Sequence, residues 1–286
     1  MKNEKILIVN DIAGAGKVAG NISFPILSAA TLEPAILPTL LLSTNIDAEG
    51  DVSILSTNEI YMNYLNHWDQ LGFKFTAYAT GFFAEIDQIE NFQKYYGKKK
   101  QEDRSIKLFV DPIMGDHGSI YPGFNEEVPQ KIGKLIEKAD LVLPNITEAC
   151  LLTGHSYKEN MDLKELEELA KKVNGLGAKN TILSGVQETQ ADGTERIGFF
   201  YTDEEGRSGK VLHKYYDRHF FGTGDLVFSF ILSFYINGLS IKESIEKASE
   251  LTEKVLEDTV NLNREAIYGL YFEPTLFNFM KELSSR

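Results

Sequence analysis

A chain of 286 residues with 43% hydrophobic and 25% charged residues has ordinary globular composition, and its single cysteine excludes an intramolecular disulfide. The formal net charge of −13 argues against non-specific binding to nucleic acid or an anionic membrane surface. It does not exclude a phosphate-bearing ligand, because a local cluster of amides and a metal ion can invert the field.

The first apolar runs in chain order are 5–10 (KILIVN) and 35–43 (AILPTLLLS), followed by 75–80 (FTAYAT) and 106–111 (IKLFVD). Residues 141–143 (LVL) and 181–184 (TILS) continue the series. Apolar on both faces, these segments are expected to be parallel strands covered on two sides. Amphipathic helices are expected between them. Ser56, Thr57, Asn58 and Glu59 read as a capping box for a helix ending near Gly72. Leu163, Leu166, Leu169, Ala170, Val173 and Leu176 form one helical stripe that stops at Gly177. Beyond it, 196–202 and 210–216 flank a polar turn and read as an antiparallel hairpin at a sheet edge. Helices are then expected near 226–237, 241–258 (opened by the capping box Ser240 to Glu243) and 274–283. With no repeat and no linker, the pattern predicts one three-layer α/β/α domain over 1–286, with a mostly parallel sheet. No stretch approaches about 18 uninterrupted apolar residues, and no cationic segment leads into an apolar one at the start, so a cytoplasmic protein is expected.

Ligands of such sheets bind outside the carboxyl ends of the strands, so the residues after each strand matter most. The first of these stretches, Val9 to Gly20 (VNDIAGAGKVAG), is glycine-rich and carries Lys17. The P-loop template puts Asp11 where its first glycine belongs and Val18 where its hydroxyl belongs. The dinucleotide template fits Gly14 and Gly16 but misses its third glycine, since the next is Gly20. A tight strand-to-helix turn explains these glycines better than a phosphate site. Asp11, at a strand end, is either a functional group or a helix cap.

Far downstream, Phe221-Gly222-Thr223-Gly224-Asp225 precedes an apolar helix. Two glycines and a small hydroxyl residue let successive N–H groups face an anion at the helix N-terminus. A carboxylate beside a bound anion is repelled, unless it receives the proton of a hydroxyl attacking a phosphoryl group. The alternative is that Asp225 caps the helix. Other post-strand clusters add hard oxygen ligands: Asp111 with Asp116, Asn145 with Glu148, and Ser184 before Gly185. Such ligands suit Mg²⁺, which keeps several waters and bridges through phosphates. His67, His117, His155, His213 and His219 show no metal-ligand spacing, although His117 lies within reach of the Asp111–Asp116 loop. Cys150 reads as a small buried residue, and Trp68 with Tyr61, Tyr64, Leu65 and Leu71 as a helix packing face. The basic run Lys98-Lys99-Lys100 reads as a solvated helix end and loop.

With DPIMGD, LPNITEA, ILSGV and GTGD in this order, and TGFF and LLSTN ahead of them, the chain resembles the ribokinase-like small-molecule kinases. More narrowly, it resembles their pyridoxal/pyridoxamine (vitamin B6) kinase branch. The resemblance covers nearly the whole chain. It implies ATP-dependent phosphorylation of the 5′-hydroxymethyl group of a B6 vitamer, with Mg²⁺ as cofactor and a monovalent cation such as K⁺ as a further candidate. It makes Asp225 the catalytic base and Gly222, Thr223 and Gly224 the anion hole. Asp111, Asn145 and Glu148 are implied to organise Mg²⁺, with Asp116 and Ser184 near the nucleotide. The stretch 117–124 is implied to be a mobile loop over it. Asp11, Ser43, Asn45 and Phe82 are implied to line the acceptor pocket, and the assembly to be a homodimer. The sequence departs from the family pattern in that pocket. Asn45 stands where relatives commonly have histidine, Ile46 where they have threonine, and Asp11 where many have serine. Rival expectations are a hydroxymethylpyrimidine kinase, whose members typically carry cysteine at the position of Asp225, a sugar kinase, and a non-catalytic binding protein on a kinase scaffold.

Overall fold

The computed structural model describes residues 4–284 except 47, 49 and 219. His219 therefore lies outside the described residues. The chain divides into two compact units, Met1–Ile106 with Asp217–Arg286, and Lys107–Tyr216.

In the first unit the strands are β1 (Lys5–Ala13), β2 (Glu33–Leu42), β3 (Ile54–Ser56) and β4 (Ala77–Thr80), in the order β4-β1-β2-β3. β1 runs parallel to β4 and β2, and β3 closes the edge antiparallel to β2. β1 is longer than its apolar run predicts. It continues past Asn10 through a register shift against β2, so that Asn10 faces Pro38 while Ile12 faces Leu41. Asp11 sits in that irregularity, the kind of bulge that re-aims a side chain. The helices are α1 (Gly20–Ala29), α2 (Asn58–Gln70), α3 (Ile86–Glu102), α7 (Thr223–Ile236), α8 (Ile241–Asn261) and α9 (Glu273–Ser284). α1 packs on β1, β2 and α7, and α7 on α8. α7 is apolar on every face because it is enclosed, with Phe230 and Phe234 meeting Phe279 of α9 edge to face at 5.0 and 5.4 Å.

The second unit holds β5 (Lys107–Val110), β8 (Leu141–Val142), β9 (Thr181–Thr189), β10 (Glu195–Thr202) and β11 (Ser208–Lys214), in the order β11-β10-β9-β8-β5. β5, β8 and β9 are parallel, and β9, β10 and β11 antiparallel. A small antiparallel pair, β6 (Gly115–Asp116) and β7 (Ser119–Ile120), stands apart. α4 (Glu127–Ile136), α5 (Ile146–Thr153) and α6 (Leu163–Gly175) complete the unit, with α6 packed on β9 and β10. Both units are thus parallel α/β structures with an antiparallel outer edge, the class expected from the sequence.

Several local expectations are corrected. Ser184 does not end a strand: β9 continues to Thr189, because Gly185 at φ +75° lies in a bulge opposite Gly198 and Phe199. The box at 56–59 does not form. Ser56 belongs to β3 and donates to Glu85, so the cap position of α2 falls to Thr57, whose side chain does not bond the helix. The box Ser240 to Glu243 does form in both directions. Tyr61 and Leu65 of the aromatic face are buried, but Tyr64 and Leu71 are exposed, Leu71 by 61%. Cys150 is buried, which pushes its thiol up to about 11. The lysine run is engaged with neighbours: Lys99 reaches Asp69 at 2.8 Å and Lys100 donates to the Ile106 carbonyl.

Candidate active site

In the first unit Asp11 lies within β1, Ser43 and Asn45 follow β2, Phe82 follows β4 and Asp225 lies in α7. Asp225 lies in the first turn of α7, after Gly222 at φ +81°. A side chain at Gly222 would lie 2.5 Å from the Lys17 carbonyl, so only glycine lets the loop pack there. Asp225 is not a helix cap. No side chain caps α7, and the carboxylate instead accepts from Asn10 Nδ2 at 3.1 Å on Oδ1 and from the Ala19 N–H at 2.8 Å on Oδ2. Ser229 holds the Asp225 carbonyl at 2.6 Å. Burial pushes the carboxyl above its ordinary value, while the Ala19 N–H and the Asn10 amide pull it back. The first amides of α7 have no acceptors within the helix, which suits an incoming phosphoryl oxygen.

The glycine-rich opening works differently. Gly14 and Ala15 donate their N–H groups to the carbonyls of Leu42 and Ser43 at 2.7 and 3.1 Å. Those amides tie the turn to the strand bearing Ser43 and are not offered to a phosphate. Ala19 adopts φ 51°, ψ −130°, a conformation costing a non-glycine residue on the order of 1–3 kcal/mol, and it places that N–H on Asp225. Asp11 does not cap α1, whose N-terminus carries no side-chain cap bond. Burial first, and the charge of Asp225 second, push the Asp11 carboxyl up to about 7. Phe82 donates its N–H to Asn10 Oδ1 at 2.9 Å, and its carbonyl accepts from Thr39. Ser43 Oγ accepts from the Ser53 N–H, Asn45 is buried and Ile46 is exposed.

The second unit gathers Asn145, Glu148, Ser184 and the Asp116 loop. Asn145 caps α5 in a reciprocal box with Glu148. Glu148 is only 3% exposed, and its oxygens accept from the N–H groups of Asn145 at 2.8 Å and Met114 at 3.2 Å. Asn145 Nδ2 donates to the Gly115 carbonyl, and Asn145 pairs with Ser184 in an isolated parallel bridge. Burial pushes the Glu148 carboxyl up to about 8, against its backbone donors and with help from Asp116. Asp111 is buried at the end of β5, and Asp116 is half exposed. Among the described residues no cluster of three or more His, Cys, Asp or Glu forms a direct metal cage. The donor chemistry fits a hard cation held chiefly through its waters and the substrate's phosphates. The expected loop begins as the β6–β7 hairpin, where His117 and Gly118 both have positive φ and Gly118 donates to Thr147 Oγ1. His117 itself is 90% exposed.

Asn10, Ala19 and Thr147 are the site residues that sequence reasoning missed. For Asn10 a signal existed, a polar amide ending the apolar run 5–10, and the structure buries it, with only 3% of its surface exposed.

The phosphomethylpyrimidine kinase family model matches residues 68–269. Pyridoxal kinase of Dictyostelium discoideum is 27% identical over 206 residues, which span 65% of this chain but 63% of that enzyme. A Bacteroides thetaiotaomicron protein assigned as a phosphomethylpyrimidine kinase, in a crystal form with pyridoxal, superposes with a TM-score of 0.89. It is 27% identical, covering 97% of this chain and 96% of that one. Pyridoxal kinase of Lactobacillus plantarum superposes with a TM-score of 0.86 at 25% identity, over 99% and 98% of the two chains. The chain belongs to the phosphomethylpyrimidine kinase family, with the ribokinase-like fold that its motifs predict.

Proposed function

We propose that this chain transfers the γ-phosphoryl group of ATP to the 5′-hydroxymethyl group of a B6 vitamer: pyridoxal, pyridoxamine or pyridoxine. The observation that carries the reading is Asp225, a carboxylate held on both oxygens in the first turn of a helix that no side chain caps. The substrate hydroxyl oxygen attacks the γ-phosphorus, its proton passes to Asp225, and the bond to the β-phosphate oxygen breaks to release ADP. Gly222, Thr223 and Gly224 offer N–H groups to the charge that develops on the transferred group. Mg²⁺, when bound, would neutralise phosphate charge. Asp111, Asn145 and Glu148 are assigned to its water shell, and Asp116 and Ser184 to the nucleotide.

In the acceptor pocket Asp11, Ser43, Asn45 and Phe82 contact the ring, with Asp11 favouring a cationic ring nitrogen or amine. The 117–124 loop closes over the nucleotide and excludes water. One kinase domain over the whole chain, a homodimer, a monovalent cation such as K⁺ and a cytoplasmic location complete the proposal and rest on the family resemblance. A second reading, hydroxymethylpyrimidine as acceptor, is favoured by the family's description and by the altered pocket residues Asn45 and Ile46. Against it stands Asp225 itself.

ADP release measured with vitamers, hydroxymethylpyrimidine and sugars separates these readings. Turnover fastest with a vitamer is expected. Fastest turnover with the pyrimidine or a sugar would replace the acceptor. No turnover, with thermal stabilisation by one ligand, would leave only a binding protein.

A further inference from the structure

We propose that Asn10 is the positioning residue of the catalytic base, and that Gly81 is glycine so that the Asn10 amide can reach it. This inference rests on the assignment of Asp225 as base. Asn10 Oδ1 accepts the N–H groups of Asp11 at 3.0 Å and Phe82 at 2.9 Å. Two donors on one oxygen fix which way the amide faces, so Nδ2 must point the other way. There it donates to Asp225 Oδ1 at 3.1 Å, across 215 residues of sequence. One side chain therefore joins the bulge carrying Asp11, the loop carrying Phe82 and the base.

The fit leaves no spare room. A Cβ at Gly81 would lie 2.7 Å from Asn10 Cγ and Oδ1 and 2.8 Å from Nδ2. Gly81 has no positive φ, so its backbone would tolerate alanine, and the constraint is the amide beside it. Gly81→Ala therefore moves the Asn10 amide without removing any polar group.

Charged groups lie on several elements around Asp225, those of α8, packed on α7, including Lys254, which pairs with Glu257 and Asp258. β1 contributes Asp11, whose ionisation the like charge of Asp225 disfavours. The turn after β1 contributes Lys17, which is bound to Glu273 of α9 at 2.6 Å. α1 has no charged residue, and α7 has none besides Asp225. The Ala19 N–H, the Asn10 amide and the backbone N–H of Asp225 itself favour the ionised base, and Asn10 is the side chain among them. Loss of one hydrogen bond to a carboxylate raises its pKa by roughly one unit or more. Because turnover needs the ionised form, the acidic limb of the kcat profile then moves to higher pH.

The test is the pH profile of kcat for wild type, Asn10→Ala, Gly81→Ala and Asp225→Asn with pyridoxal and saturating ATP. Asp225→Asn is expected to lose at least about a hundredfold in kcat. Asn10→Ala and Gly81→Ala are expected to move the acidic limb upward by about one pH unit, with the KM for ATP changed less than about twofold. If Asn10→Ala fails to fold, Gly81→Ala, which keeps every hydrogen-bonding group, carries the test. Loss of activity in Asp225→Asn with an unmoved limb in the variants that fold overturns the role of Asn10 and leaves the base intact. Near-normal turnover by Asp225→Asn overturns the base itself, and the role of Asn10 with it.

Discussion

Asp225 and Glu148 occupy the same place in their helices, the third residue of the first turn, and each carboxylate is held by several hydrogen bonds. Their donors differ in kind. Glu148 takes the N–H of its own cap residue Asn145, three residues away, and that of Met114. Asp225 takes groups 215 and 206 residues away, from β1 and the turn after it. The first arrangement builds a helix end and ties it to the segment after β5, 34 residues away. The second joins distant segments and orients the carboxylate proposed as the base. Loss of Glu148 is therefore expected to lower stability as well as turnover, and loss of Asp225 chiefly turnover.

The largest expected effect breaks the Asp225 side. Asp225→Asn should lower kcat by roughly 10²–10⁴ with ATP affinity nearly unchanged, read by steady-state kinetics. Gly222→Ala comes next: a methyl group 2.5 Å from the Lys17 carbonyl, at φ +81°, should cost at least about tenfold in kcat through a displaced anion hole. Glu148→Gln sharpens the other side. Its amide nitrogen would face a backbone N–H, lowering the melting temperature by roughly 2–6 °C in a thermal scan.

A smaller effect is set by pH. Asp11 is ionised in the unfolded chain above about pH 4 but stays protonated in the fold up to about 7. The folded protein therefore binds the extra proton, and stability falls as pH rises across that window, then levels. Asp11→Asn should melt roughly 2–4 °C higher than wild type at pH 8, with the gain gone by pH 4. Smallest is Ser240→Ala, which removes a cap remote from both clusters. It should cost about 1 kcal/mol while leaving kcat unchanged.

The same contrast explains what was legible in the sequence. Long apolar runs such as those of β1, β2 and β5, and the stripe of α6, announce themselves by periodicity, because burial of a face constrains every residue on it. The Asn145–Glu148 pair was legible too, since both partners lie within one helical turn. β3 and the β6–β7 pair were not, because two or three residues carry no period. Ser184 was misplaced because Gly185 resembles a strand end, while its positive φ serves a bulge that pairing with β10 sustains. The partners of Asp225 were invisible for a different reason. Asn10 and Gly81 make sense only once β1 and β4 lie side by side, and nothing in either segment alone names the other. The glycine-rich opening fitted neither nucleotide template, but the use of the Gly14 and Ala15 amides by Leu42 and Ser43 could be read only from the structure.

Product identification tests the central claim most directly. Pyridoxal and hydroxymethylpyrimidine are offered together with Mg-ATP, and the products are resolved by mass spectrometry. The account predicts phosphorylated pyridoxal as the main product with wild type and almost none with Asp225→Asn. Phosphorylated pyrimidine alone, or equal yields of phosphorylated pyridoxal from both proteins, would contradict it.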